Sequence, residues 1–176
     1  MLYGSKVILR TLRGDDLPQL IALHNDASVK SLAAMHQFPV SPELEAAWLE
    51  SILMDKSNTK AYFGIESITS GLLAGICFLQ NINWVDRIAW FGIAILPQNQ
   101  GKGYGREALD LIVQYGFEAL NLQKICLYVL GVNLAAIKLY KQKGFVTEGV
   151  LRNHCNYQGQ HCDLQIMSLF REEQVL

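Results

Sequence analysis

The sequence is short of charge. Only 18% of its 176 residues are charged, fifteen basic against sixteen acidic, and no long run of like charges occurs. Without a basic stripe, nucleic acid is excluded as a primary ligand. No stretch of about eighteen apolar residues could span a bilayer, and MLYGSKVILR lacks the basic region and apolar core of a secretory signal, so a cytoplasmic protein with no membrane partner is expected. With four prolines and no low-complexity segment, no linker or internal repeat divides the chain. Four cysteines, Cys77, Cys126, Cys155 and Cys162, are too scattered for a disulfide framework and read as free thiols. The dipeptides His154-Cys155 and His161-Cys162 hint at metal ligands. Neighbours in a strand point to opposite faces, so only half could converge, and no metal is expected.

What remains is a chain that is 51% hydrophobic. At this length one domain, residues 1–176, buries about two-thirds of the surface its unfolded form exposes. Lys6 to Leu12 reads as a first strand, and Gly14-Asp15-Asp16 starts a helix toward His24, closed by Asn25-Asp26. Ser41-Pro42-Glu43 caps a second helix through roughly Met54. AYFGIES and LLAGICFLQ form a hairpin across Thr69-Ser70-Gly71, and Arg87 to Leu96 is a strand that Pro97 stops. Apolar positions from Tyr104 to Leu120 recur at helical spacing, and Lys124 to Leu130 is a strand apolar on both faces. Asn133 caps a further helix that ends at Gly144, and the tail folds back about Gln158-Gly159. The order is mixed α and β in one layered unit.

Between strand and helix lies Gln100-Gly101-Lys102-Gly103-Tyr104-Gly105-Arg106. Glycines there let backbone approach a ligand, unpaired amides meet the positive end of the helix, and Lys102 and Arg106 add charge, which together suit a diphosphate. The loop has neither the spacing of a P-loop nor the period of a Rossmann fingerprint.

Gln100-x-x-Gly103-x-Gly105 resembles the pyrophosphate motif of the GNAT superfamily of N-acetyltransferases. Asn133-x-x-Ala136-x-x-x-Tyr140 followed by Lys143-Gly144-Phe145 is similar to that family's second hallmark. The closing segment from Glu148 to Leu169 is similar to the branch of ribosomal-protein alanine/serine, spermidine and amino-sugar acetyltransferases. The resemblance covers nearly the whole chain and is specific in its second half. It implies an α/β (α+β) fold of the GNAT type: a mixed, mostly antiparallel central sheet flanked by helices and splayed at an acetyl-CoA site.

It also implies roles. Amides from Gln100 to Gly105, Tyr104 included, would hold the pyrophosphate of acetyl-CoA. Ile93 and Ile95 would pair with the pantetheine arm, and an amide near Ile95 would polarise the thioester. Asn133 would touch the pantetheine, and Tyr140 would return a proton to the departing thiolate. Acyl transfer to an amine also needs a base. Many relatives carry a glutamate in the strand before the loop, where this chain has Trp90. Glu66, His36 or a water chain to backbone carbonyls are the substitutes.

Acceptor choice in the family rests on the first helices and the late hairpin, here MHQFPVSPELEAAW and NHCNYQGQHCD. The first is poor in acid, which ranks a polycation such as spermidine below a protein amino terminus or an amino sugar. Phe38, Trp90 and Trp84 could wall a pocket for either, with His36 beside them. A homodimer is implied by resemblance only. The alternative class is a chain that binds acetyl-CoA without chemistry, as a sensor or partner-binding module, with Trp90 as its support.

Overall fold

Period-two apolar strands need a cover on each face, and the helices supply both. The computed structural model describes residues 1–32 and 38–173. Its strands are β1 (Leu2–Tyr3), β2 (Val7–Arg10), β3 (Ala61–Ser67), β4 (Leu73–Asn83), β5 (Ile88–Ile95), β6 (Lys124–Leu130), β7 (Val146–Tyr157) and β8 (Gln160–Phe170). They form one sheet in the order β1-β2-β3-β4-β5-β6-β8-β7. Every neighbouring pair is antiparallel except β5 with β6.

Helices α1 (Leu17–Asn25), α2 (Ala27–Leu32) and α3 (Pro42–Leu53) precede β3, while α4 (Tyr104–Gln114) and α5 (Leu134–Gln142) follow β5 and β6. Two buried clusters lie on opposite sides of the sheet. Leu109 and Ile112 of α4 and Ile137 of α5 pack with Cys77, Phe91 and Leu127. Leu23 of α1, Val29 of α2 and Leu49 of α3 pack with Ile76 and Ala94. Cys77 and Ile76 are strand neighbours, so adjacent side chains enter opposite cores.

Local chemistry explains most boundaries. The Ser41 side chain accepts from the Leu44 amide at 3.2 Å, and the Asn133 Oδ1 accepts from Ala136 at 3.2 Å, so both expected caps are made. Gly144 takes φ 90° after α5, and Gln158 and Gly159 take φ 50° and 81° in the closing hairpin. Three features differ from expectation. A short second helix, α2, follows Asp26, whose side chain accepts from the Ser28 and Val29 amides at 2.9 and 3.0 Å. The long helix ends in a widened turn, Tyr115–Ala119, where the Leu120 amide reaches back to the Tyr115 carbonyl at 3.1 Å. β4 runs on to Asn83 through a bulge.

That bulge positions the site. Gln80 faces Trp90 but Asn83 faces Ile88, so β4 carries one residue more than β5, and Asn81 sits there at φ 51°. A bulge bends and over-twists its strand, and here it does so beside the parallel β5–β6 pair. β5 and β6 stay in register only from Ile88–Lys124 to Phe91–Leu127. Beyond those rungs the strands part.

Candidate active site

The gap between residues 92–95 and 128–130 is bordered by backbone that has lost its neighbour. The Leu96 amide donates to Ala74 on β4 at 2.9 Å. Strand alternation then turns the amides of Ile93 and Ile95 away from β4 and into the gap. The Ile95 carbonyl points the same way and accepts from the Gln100 side chain at 3.0 Å. Gln100, the first residue of the glycine motif, thus braces the last residue of the strand before it.

The loop then opens α4. Gly101 and Gly103 take φ 73° and 85°, a region that costs any residue with a Cβ. Gly103 is the helix cap and supplies no side-chain hydrogen bond, so the first amides of α4 have no side-chain acceptor from their cap. Gly105 lies over the strand: a Cβ there would stand 3.7 Å from Ile95 and 3.9 Å from Ile93. Tyr104 turns inward, its hydroxyl 3.0 Å from Ser67 Oγ, so only its backbone faces the loop. Lys102 is exposed, its Nζ donating to Asn99 at 3.1 Å, and Arg106 is exposed on the first turn.

One acid near this loop was not singled out from sequence. Glu107 accepts from the backbone amides of Ser5, Lys6 and Val7 at 2.8, 2.7 and 2.8 Å, and from the Ser5 hydroxyl at 2.6 Å. Burial opposes its charge, but these hydrogen bonds outweigh burial and hold the carboxyl down to about 2. The clamp brings Lys6 beside the loop, with its Nζ 3.3 Å from the Lys102 carbonyl.

A cavity of about 440 Å³ opens where the strands part. Ile93, Asn133 and Tyr140 line it with Trp90, Tyr128 and Gln80. Asn133 and Tyr140, two turns apart on α5, do face a common space. Tyr140 is buried against Phe91 and Phe145, with ring centroids 6.3 and 5.7 Å away, and burial pushes its phenol up to about 12. Trp90 stacks on Tyr128 at 4.3 Å and 15° across the last paired rungs. Tyr128 is half exposed, so β6 is not covered on both faces as its apolar sequence suggested. Among the described residues lining this cavity there is no carboxylate.

The remaining candidates lie apart. Glu66 forms an ion pair with Arg10, whose guanidinium also meets Asp16 at 2.7 and 2.8 Å, so its carboxylate ties β3 to β2 and does not line the cavity. Trp84 donates from Nε1 to the Asn58 carbonyl at 2.9 Å, away from the gap. His36 falls outside the described residues. Phe38 borders a second cavity of about 640 Å³, lined also by His24, Glu45, Trp48 and Tyr62. Phe78 is shared by both cavities. His24 Nδ1 and Glu45 Oε1 are 2.7 Å apart and both side chains are buried. Trp48, Tyr62 and Phe78 form an aromatic run from that pair toward the gap, at 5.8 and 4.7 Å. Neither the pair nor the run leaves a mark in local sequence. Among the described residues no group of three or more His, Cys, Asp or Glu side chains could hold a metal, and no helix is long and apolar enough to cross a membrane.

Comparison with known proteins agrees with this arrangement. A family model described as an acetyltransferase (GNAT) domain matches residues 6–146. The chain is 32% identical over 170 residues to a spermidine N(1)-acetyltransferase of Vibrio cholerae, covering 97% of this chain and 96% of that one. It is 35% identical over 167 residues to the spermidine N(1)-acetyltransferase of Escherichia coli K12, covering 95% and 87%. Among solved structures, the Vibrio cholerae spermidine N-acetyltransferase in complex with CoA and spermine superposes with a TM-score of 0.88 at 30% identity, covering 97% of this chain and 98% of that one. The relatives are named as enzymes, and nothing found supports the binding-only alternative. The chain belongs to the GNAT family and is an acetyl-CoA-dependent N-acetyltransferase.

Proposed function

We propose that this chain acetylates a primary amine on a small alkyl polyamine of the spermidine type, with both substrates bound together. The observation that carries the reading is the parted β5–β6 pair, with Tyr140 and Asn133 on one side and the Trp90–Tyr128 stack at its edge. Gap-facing amides at Ile93 and Ile95 and the glycine-rich start of α4 fit an extended pantetheine arm and its diphosphate. Acetyl-CoA supplies the acetyl group as an activated thioester. The Ile95 amide would then hold the acyl oxygen as negative charge develops there. Tyr140, neutral at any working pH because burial raises it, would donate its phenolic proton to the leaving sulfur. A thiolate shut from water in the same cavity is raised by the same desolvation, which narrows the gap between donor and acceptor.

With Glu66 committed to Arg10 and no carboxylate in the described lining, a water held by backbone carbonyls and Gln80 takes the amine proton and passes it to solvent. The polyamine assignment comes from the named relatives and reverses the ranking drawn from an acid-poor entrance. Aromatic faces attract an ammonium group, and the Trp90, Tyr128 and Phe78 rings offer them where a carboxylate is missing. One observation favours a second reading, a monoamine on an apolar body: Glu45, the one carboxylate of the larger cavity's described lining, is already paired with His24. Purified protein with acetyl-CoA and a panel of spermidine, spermine, aryl-alkylamines, amino sugars and Ala- or Ser-terminated peptides separates them by thiol release and product mass. Acetylspermidine as the preferred product supports the first reading. Turnover confined to apolar monoamines supports the second, and turnover confined to peptides or amino sugars overturns both.

A further inference from the structure

Three cations gather where a helix begins, and one comes from the far end of the chain. Lys6 lies between β1 and β2, 96 residues before Lys102, yet its Nζ donates to the Lys102 carbonyl at 3.3 Å. The same Nζ is 3.0 Å from where a Cβ on Gly103 would stand. Lys102 and Arg106 complete the cluster. The mouth of a helix is its positive end, so positive side chains there are repelled. The acid of the first turn, Glu107, accepts from three backbone amides and a hydroxyl, which fixes its carboxylate against residues 5–7 and away from the open face of the loop.

That clamp is also what places Lys6. It fixes the main chain of residues 5–7 against α4, the helix whose first turn forms the loop. The clamp therefore holds the Lys6 ammonium beside the loop. Such an arrangement gains when an anion occupies the loop. Gly103 is needed for its left-handed backbone and also because any side chain would displace this ammonium.

We propose that Lys6 is a phosphate-binding residue for acetyl-CoA, meeting the diphosphate from the amino-terminal strap, and that Glu107 is its positioning residue. The proposal rests on the reading that residues 100–106 hold the diphosphate. The test is calorimetric titration of the full-length chain with CoA and with dephospho-CoA, which lacks the 3′-phosphate, at several salt concentrations. Lys6→Gln should weaken CoA about tenfold at low salt, the scale of one charge-assisted hydrogen bond, and flatten the salt dependence. Lys6→Arg should stay within a few-fold of wild type. Dephospho-CoA should show the same loss; a loss confined to CoA would move Lys6 to the 3′-phosphate and overturn the diphosphate assignment. Lys6→Gln within twofold of wild type, with an unchanged salt slope, would overturn the role altogether. Wild-type protein without saturable CoA binding would overturn the loop reading and this one with it. Glu107→Gln should weaken CoA through Lys6, so the double variant should bind little worse than either single one; should Glu107→Gln not fold, the Lys6 pair still decides.

Discussion

The two sides of the parted strands are made of different material. On the loop and β5 side the groups facing the gap are main-chain amides, Ile93, Ile95 and the first turn of α4, braced by Gln100 and by Glu107. On the side of α1 and α3 they are side chains: Trp48, Tyr62 and Phe78, with the His24–Glu45 pair behind them. Backbone geometry offers the same donors whatever side chains surround it, so it suits a cofactor that does not change. Side chains can be exchanged without disturbing the ladder, so the acceptor side is where relatives with a common fold can diverge. Under the proposed function, cofactor and acceptor binding should therefore be separable by mutation.

The largest expected effect tests where the chemistry sits between the two sides. Tyr140→Phe should lower turnover by about a hundredfold or more, the lower range for loss of a general acid, with acetyl-CoA affinity within twofold. Rapid-quench turnover together with titration measures both, and unchanged turnover would remove the phenol from the reaction. Next comes the backbone side. Gly103→Val puts a β-branched residue at φ 85° and in the space of the Lys6 ammonium; a free loop that relaxes to escape about 2 kcal/mol of strain must take it up again on binding, so CoA affinity should fall roughly thirtyfold. The thermal midpoint of the free chain should move much less than that of the CoA-bound chain.

A smaller effect belongs to the side-chain wall. Trp90→Ala removes one partner of the Trp90–Tyr128 stack and should raise the acceptor KM about tenfold, leaving the acetyl-CoA dissociation constant unmoved. If both constants rise together, the two sides are not separable. The smallest effect is in the strap. The Glu107 carboxyl is depressed to about 2 from its ordinary 4.5, so its stabilising contribution is present above about pH 4.5 and is lost as pH falls toward 2. Exchange protection of the Lys6 and Val7 amides should fall across that window before the strands unfold. Protection that persists unchanged to pH 2 would show that the clamp contributes nothing.

What could be read from sequence follows the same division. Caps at Ser41 and Asn133, the left-handed glycine at 144, and the closing turn at Gln158-Gly159 each leave their mark on one or two residues, and all were legible. The two family motifs sit on those local features, which is why the glycine loop and the helix from Asn133 were placed from sequence. The bulge at Asn81 leaves a fainter trace, since asparagine is among the few residues that tolerate positive φ. The clamp by Glu107 and the pairing of Glu66 with Arg10 join residues far apart in the chain and have no local signature. Glu66 was a candidate because a carboxylate at a strand end looks available; its partner on the neighbouring strand was invisible. The aromatic run toward His24 was missed for the same reason, and the acid-poor entrance pointed away from the substrate named for the relatives.

The parted strands carry a last consequence, for the lifetime of the molecule. Within the sheet β5 meets β6 over only four parallel rungs, whereas β6 meets β8 along its whole length. The sheet is a garment with an unfinished seam. Under the proposed function a pantetheine arm in the gap would be the missing thread, and at a hundred times its dissociation constant a ligand adds about 2.7 kcal/mol to the folded state. An arm bound there should therefore slow opening along that line, and limited proteolysis of the chain should slow as its donor saturates it.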